Sequence, residues 1–232
     1  MKNHDSPPRA ISPLISPHIN VCIPTIDRFG LIGQTIGSII NGNCKNLSIT
    51  IIVDDGRQKY FNSLKMTKGR HPQVKMMFNE KRLGWPKSLN RIFAETDHDY
   101  YLYASDDLIF QPNTITKVMA DMKRLFPDGD GVIGITQQLG KFCPAAFGLV
   151  GRKWVNRFPE RRMFYPRYIH FCGDSELWRY SRQVKRFHLS KASVHHNRPF
   201  DNCKKLAQTT LARDRRIWFP RRDANMFWPK FN

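Results

Sequence analysis

Tyr100-Tyr101-Leu102-Tyr103-Ala104-Ser105-Asp106-Asp107-Leu108-Ile109-Phe110 is the stretch on which the reading of this chain turns. Its aromatic and aliphatic opening has the form of a buried strand, and two adjacent carboxylates then break the apolar run. Like charges side by side repel and are costly to remove from water, so a compensating partner is expected. A divalent cation suits hard carboxylate oxygens, with Mg2+ or Mn2+ the natural choices. The plainer alternative is a solvated turn after a strand. The surrounding sequence decides between them.

Upstream, Ile19-Asn20-Val21-Cys22-Ile23 is a short apolar run stopped by Pro24 and Thr25. Leu31 to Ile40 places Leu31, Ile32, Ile36, Ile39 and Ile40 on one helical face, closed by Asn41-Gly42-Asn43. Leu47 to Val53 then forms a strand ending at Asp54-Asp55-Gly56. Strand, helix and strand with short connections imply a right-handed parallel crossover. Ligands of such sheets bind at the carboxyl ends of the strands. A third strand is expected at Val74–Phe78. After Asn79 to Gly84, a helix begins near Trp85-Pro86, with proline in the first turn. Beyond the opening stretch, Asn113 is the expected N-cap of a helix carrying Ile115, Val118, Met119, Met122, Leu125 and Phe126. Pro127-Asp128-Gly129 closes it before a strand from Gly131 to Thr136. Three strands of the first half thus end in polar residues at one crevice.

A length of 232 residues with 41% hydrophobic residues supports a full core in one domain and excludes a disordered chain. No apolar run approaches the roughly 18 to 20 residues of a membrane span, and the proline-rich start lacks the apolar core of a signal peptide. Five widely spaced cysteines without a C-x-x-C pair argue against a disulfide framework or structural zinc and fit a reducing cytoplasm. The formal net charge is +19, unevenly placed: residues 1–150 carry 18 basic against 13 acidic side chains, residues 151–232 carry 20 against 6. The basic half is also aromatic, which is the composition for tracking phosphates and stacking bases. An anionic membrane surface, or mere solubility, is the alternative.

Taken together, these residues resemble the GT-A glycosyltransferases, most closely the inverting, nucleotide-sugar-dependent enzymes of glycosyltransferase family 2. The matching pieces are Val21-Cys22-Ile23-Pro24-Thr25, Ile51-Ile52-Val53-Asp54-Asp55-Gly56, Asn79 through Asn90, Ala104-Ser105-Asp106-Asp107, Ala145 to Gly151, Phe171-Cys172-Gly173-Asp174-Ser175-Glu176-Leu177-Trp178-Arg179 and Ser193-Val194-His195-His196, in family order. The resemblance spans roughly residues 19 to 198. It implies an α/β, Rossmann-like fold with a mixed, mainly parallel central sheet flanked by helices. The expected division is an arm over 1–18, a transferase domain over 19–200 (nucleotide-sugar half 19–140, acceptor half 141–200) and a basic aromatic tail over 201–232.

The resemblance also implies roles. Pro24, Thr25, Asp54 and Asp55 would meet the nucleotide, Asp106 the sugar-nucleotide or a metal-bound water, and Asp107 the Mn2+ or Mg2+. Ser105 stands where the family motif has aspartate, so the metal site carries less charge. Asp174 would be the catalytic base, with Glu176 as runner-up and a helix cap as the structural alternative. His195 and His196 alternate in direction on a strand, so at most one is expected at the metal. Lys81 and Arg82 are candidates for the diphosphate, or else solvated charges; Trp85 is expected to pack. A UDP-sugar is the expected donor, though the nucleotide and sugar stay open.

The charge then speaks for the acceptor. The leading expectation is a hydroxyl on a modified base in DNA, as in viruses of bacteria, working in the host cytoplasm. Trp178, Arg215, Arg216, Trp218, Arg221 and Arg222 would grip the polyanion, and Arg213 to Lys230 would act as a clamp. Neither stable membrane insertion nor an obligate protein partner is expected. The alternatives are synthesis of a surface polysaccharide or lipopolysaccharide, and a nucleic-acid-binding module on an inactive GT-A fold.

Overall fold

The computed structural model describes residues 18–42, 44–54, 60–62, 64, 71–138 and 143–229. Asp55 and the first 17 residues, which include most of the proposed arm, lie outside them. Among the described residues eight strands make one sheet: β1 (Ile19–Thr25), β2 (Leu47–Asp54), β3 (Val74–Asn79), β4 (Tyr100–Tyr103), β5 (Leu108–Phe110), β6 (Val132–Gln137), β7 (Gly148–Gly151) and β8 (Phe187–His196). Their spatial order is β3-β2-β1-β4-β7-β6-β8-β5. The first four in this order pair in parallel, β7 runs antiparallel to β4 and β6, and β5 antiparallel to β8. The expected strands and the mixed, mainly parallel sheet are therefore present.

Strand alternation sorts the core into two layers. Val21, Ile23, Ile49, Ile51, Val53 and Leu102 face one side, against α1 (Phe29–Ile40) and α3 (Thr114–Leu125). Cys22, Ile52, Tyr101 and Tyr103 face the other, with α2 (Trp85–Glu95) and α5 (Gly173–Gln183). All seven residues of β1 are buried, as a strand covered on both faces requires. The short α4 (Arg152–Val155) adds Trp154 to the second layer.

The opening stretch is two strands rather than one. β4 lies beside β1, whereas β5 is the far edge of the sheet, four strand positions away. Crossing four flat inter-strand gaps would take about 19 Å, while the five Cα steps from Tyr103 to Leu108 reach about 17 Å at full stretch. The sheet must therefore curl so that β5 returns toward β1. The closure is visible in a bond from the Phe110 amide to Ser38 Oγ on α1, at 3.0 Å. Ser105, Asp106 and Asp107 occupy the seam of that curl.

One local expectation is corrected. Asn113 does stand at the N-cap of α3, but in the left-handed region (φ 61°) and with no side-chain capping bond. Thr114 Oγ1 instead ties the helix start to the carbonyls of Gln111 and Ser193, both at 2.8 Å.

The C-terminal segment carries α6 (Asn202–Gln208) and α7 (Leu211–Asp223). Trp218, Phe227 and Trp228 belong to the second core layer. Asp214 is fully buried and accepts three successive backbone amides, Ile169, His170 and Phe171, at 3.1, 2.9 and 2.8 Å. That loop crosses Gly84 so closely that a Cβ there would lie 1.9 Å from the Ile169 carbonyl oxygen, and Gly84 has φ +95°. Only glycine meets both demands. Substituting Asp214→Ala would leave three amides unpaired, and urea unfolding should show a loss of about 2–4 kcal/mol.

Candidate active site

The carboxyl ends of β1, β2 and β4 open on one cavity of about 380 Å³, where Pro24, Thr25, Asp54, Ser105, Asp106 and Asp107 converge. From the other half of the chain it receives Gln137, Cys143, His170, Asp174, His196 and Arg198, and from α6 Lys204. Arg82 and Trp85 complete the wall beside Gly84.

At its centre are the paired aspartates, each 4% exposed. Thr25 Oγ1 donates to Asp106 Oδ2 at 2.8 Å, and Thr35 Oγ1 of α1 donates to the Asp106 carbonyl at 3.0 Å. A single Arg28 nitrogen bridges the pair, 3.0 Å from Asp106 Oδ1 and 2.9 Å from Asp107 Oδ2. Burial pushes the Asp106 carboxyl up, and the neighbouring Asp107 charge adds to that. For Asp107 burial acts the same way, but His196 and Arg28 outweigh it and hold the group below the usual carboxylate range.

Do these residues fit a divalent cation? Asp107 Oδ1 is buried and faces His196 Nε2 at 3.2 Å. The other ring nitrogen, Nδ1, faces Gln137 Oε1 at 3.0 Å. Arg198 Nε donates to the same Nδ1 at 3.1 Å, which leaves the ring proton on Nε2, toward Asp107 Oδ1; a cation bound there would take that proton's place. Among the described residues no cluster of three or more His, Cys, Asp or Glu stands ready to hold a metal. The protein thus offers one carboxylate oxygen and one imidazole, leaving other positions to phosphate oxygens and water, the usual habit of Mg2+. Alternation separates the two histidines: His196 lines the cavity and His195 does not.

Asp174 enters from the first turn of α5, its Oδ1 accepting the Ser175 amide at 2.8 Å. Burial raises its pKa, which makes it a stronger base once ionised. The same residue therefore lines the cavity and bonds the helix start. Cys143, beside it, has its thiol pushed up by burial and by Asp174, so it stays a neutral thiol. His170 is pushed down to about 4 by burial and by Arg82 and Lys204, so it is a neutral imidazole at physiological pH.

Several expected site residues are differently employed. Asp54 lines the cavity, but its carboxylate accepts the Leu83 and Gly84 amides, both at 2.7 Å, and Asn79 Nδ2 at 2.8 Å. It shapes the Gly84 loop. Glu176, the alternative base, lies outside the cavity: buried, it accepts from Tyr168 Oη, an Arg221 nitrogen and the Trp228 amide, each at 2.6 Å. It anchors the C-terminal segment. Arg221 is held there and lies 3.9 Å over the Tyr165 ring, while Trp218 is buried in the core. Trp178 is half-buried under Arg182, and Arg222 pairs with Asp223 and covers Phe219. Arg215 and Arg216 are exposed on α7, away from the cavity wall. Lys81 is exposed outside it, whereas Arg82 lines it with a buried, unpartnered Nε. Trp85 packs on Phe164 as expected, and its Nε1 also donates to the Ala104 carbonyl at 3.1 Å.

Arg28, Asp201, His170, Arg198 and Lys204 were not foreseen. Arg28 follows the first strand by three residues, and that position after Pro24-Thr25 was its only local signal. Nothing local marked Asp201 or Lys204, which arrive through the packing of α6.

The glycosyl transferase family 2 profile matches residues 20–183, more than half of the sequence. The chain belongs to glycosyl transferase family 2. Among solved structures it is similar to the mannosyltransferase PcManGT from Pyrobaculum calidifontis, in complex with GDP-Man and Mn2+: TM-score 0.68, 13% identity, 87% of this chain and 63% of that one covered. The crystal structure of S. aureus TarS residues 1–349 gives TM-score 0.56 at 11% identity, covering 78% and 58%. At these identities the likeness establishes the GT-A fold alone, and this chain spans about three fifths of either neighbour. No sequence relative is found among curated proteins. No helix of the described residues is long and apolar enough to cross a membrane.

Gly84→Ala should disrupt the wall of this cavity, because φ +95° and the Ile169 carbonyl both oppose a Cβ. Binding of nucleoside diphosphates, followed by calorimetry, should weaken at least about tenfold while the far-UV circular dichroism stays near wild type.

Proposed function

We propose that this chain is an inverting, metal-dependent glycosyltransferase that moves a sugar from a nucleotide-sugar to a hydroxyl on a polyanionic acceptor, a hydroxymethylated base in DNA foremost. The observation carrying this reading is that Asp107, His196 and Asp174 meet in one cavity of a family 2 fold. Asp107 Oδ1 and His196 Nε2 would hold the Mn2+ or Mg2+. Bound there, the ion supplies positive charge to the diphosphate as it leaves. The neighbour PcManGT was solved with GDP-Man and Mn2+, which supports a donor and ion of this kind. The donor we propose is a UDP-sugar.

Asp174 takes the proton from the acceptor hydroxyl. The acceptor oxygen forms its bond to the anomeric carbon as the bond from that carbon to the diphosphate breaks, and the nucleoside diphosphate departs with both electrons. Arg82 and Lys204 line the cavity as further cations for the departing anion. His170 is held neutral, so it can donate or accept a hydrogen bond without adding charge.

For the acceptor, support comes from the net charge and from two exposed rings, Phe29 (51%) and Phe200 (71%). Each is the sequence neighbour of one partner of the Arg28–Asp201 pair, 2.8 Å across, and Arg28 lines the cavity. Exposed rings among arginines and lysines suit stacking of an extruded base. These rings replace the buried Trp218 in that role.

Incubation with Mn2+, DNA containing hydroxymethylated pyrimidines and a panel of nucleotide sugars should add one sugar mass to the DNA. Transfer instead to a lipid-linked glycan, with none to DNA, would sink the DNA acceptor while leaving the transferase standing. Asp174→Asn should lower kcat by about 10²–10⁴ with donor affinity nearly unchanged. The raised Asp174 pKa sets the sign of the pH dependence: the base works only when ionised. Activity should therefore rise with pH along an acid limb lying above the ordinary carboxylate value of about 4, and Asp174→Asn should abolish that limb.

A further inference from the structure

We propose that Asp201 is a positioning residue for the cation site, and that Arg28, which it holds, is a built-in cation competing with the metal for the paired aspartates. This rests on the metal reading of Asp107 given above. The geometry is that of a guanidinium gripped from two sides. One edge, Nε and the second terminal nitrogen, binds Asp201 Oδ2 and Oδ1 at 2.8 and 3.0 Å. The remaining nitrogen reaches both Asp106 and Asp107. A planar fork held along one edge has little freedom to swing, so Asp201 determines where the third nitrogen points.

Asp201 is itself fixed. It is the N-cap of α6, where its Oδ1 accepts the Lys204 amide at 2.9 Å. Two residues on, Cys203 Sγ donates to the Ile26 carbonyl at 2.7 Å, joining α6 to the loop that carries Arg28. The Arg28 side chain is only 11% exposed, so water screens these charges poorly. Burial alone would lower the Arg28 pKa; Asp201, Asp106 and Asp107 together overcome it, so the guanidinium stays charged.

The charge count then gives opposite signs for the two partners. Arg28 neutralises part of the field that would attract a cation to Asp107 Oδ1, so its removal strengthens cation binding. Removing the Asp201 charge takes away one anion and turns Arg28 wholly onto the aspartate pair, and both effects weaken cation binding. A pair serving only to hold the fold would give losses for both. Position 201 therefore couples the C-terminal segment to the donor site through one arginine.

The test is a Mn2+ titration followed by water-proton relaxation, with GDP or UDP present and no acceptor, on the full chain. Arg28→Gln is expected to raise Mn2+ affinity about three- to tenfold, and Asp201→Ser to lower it by a similar factor, by Coulomb's law at an effective dielectric near 20. Serine retains the N-cap of α6, so helix loss does not confuse the result. Asp201→Glu, which restores the charge, should return the affinity to within about twofold of wild type. Equal signs for Arg28→Gln and Asp201→Ser, or no change in either, would overturn the proposal. If Arg28→Gln does not fold, Asp201→Ser decides alone, and an unchanged or raised affinity overturns it. Failure of wild type to take up Mn2+ with either nucleotide defeats the metal reading itself.

Discussion

Two carboxylates buried side by side are the constraint around which the rest of this structure is arranged. Removing each from water costs several kcal/mol even after relaxation, and Asp106 and Asp107 are both almost fully buried. Their compensation comes from four directions: Thr25 at the end of β1, Arg28 in the loop after it, Thr35 on α1 and His196 at the end of β8. These groups are up to about 170 residues apart in sequence. Only a sheet that curls until its far edge returns to its centre brings them together. The short link between β4 and β5 makes that curl a geometric necessity, so the aspartate pair and the shape of the sheet are two aspects of one local sequence.

The cavity then divides its charge. Asp107 and His196 form an end where a buried carboxylate oxygen faces an imidazole nitrogen, Arg82 and Lys204 supply positive charge elsewhere on the wall, and His170 is kept neutral among them. That division suits a ligand carrying both a cation and condensed negative charge, which is the form of a metal-bound nucleoside diphosphate. Asp174 stands apart from the cationic side chains, and burial, the largest influence on it, keeps its carboxyl more basic than usual.

Legibility in the sequence followed the range of the interactions. Strands β1, β2 and β4 were readable because apolar runs, period and breakers are local properties, and with them came Pro24, Thr25, Asp106 and Asp107 at strand ends. Asp174 was readable from its setting in the Gly173-Asp174-Ser175-Glu176-Leu177-Trp178 segment. Asp54 was placed in the cavity correctly, yet its bonds to the Leu83 and Gly84 amides depend on a loop 29 residues away in sequence. Choosing between His195 and His196 needed the strand's facing, which alternation alone leaves ambiguous by one residue. Arg28 and Asp201 are 173 positions apart and make one ion pair; neither residue type nor spacing announces such a contact.

Composition was the least discriminating guide, and the structure shows why. The second half of the chain was read as a single polyanion-binding surface because it is rich in arginine and tryptophan. Many of those side chains work inside the protein: Arg221 pairs with Glu176, Arg157 pairs with Asp130 at 2.5 Å and covers Trp154, and Arg161 lies over Tyr101. Arginine suits such duty because its flat, weakly hydrated head stacks on rings while its nitrogens bond outward. An arginine-rich, aromatic-rich segment is thus what a small protein needs to dock its own C-terminal helices, as much as what it needs to grip a phosphate backbone. Only charge that remains exposed beside the cavity can meet a bound ligand, and there Arg198 is exposed and lines the wall.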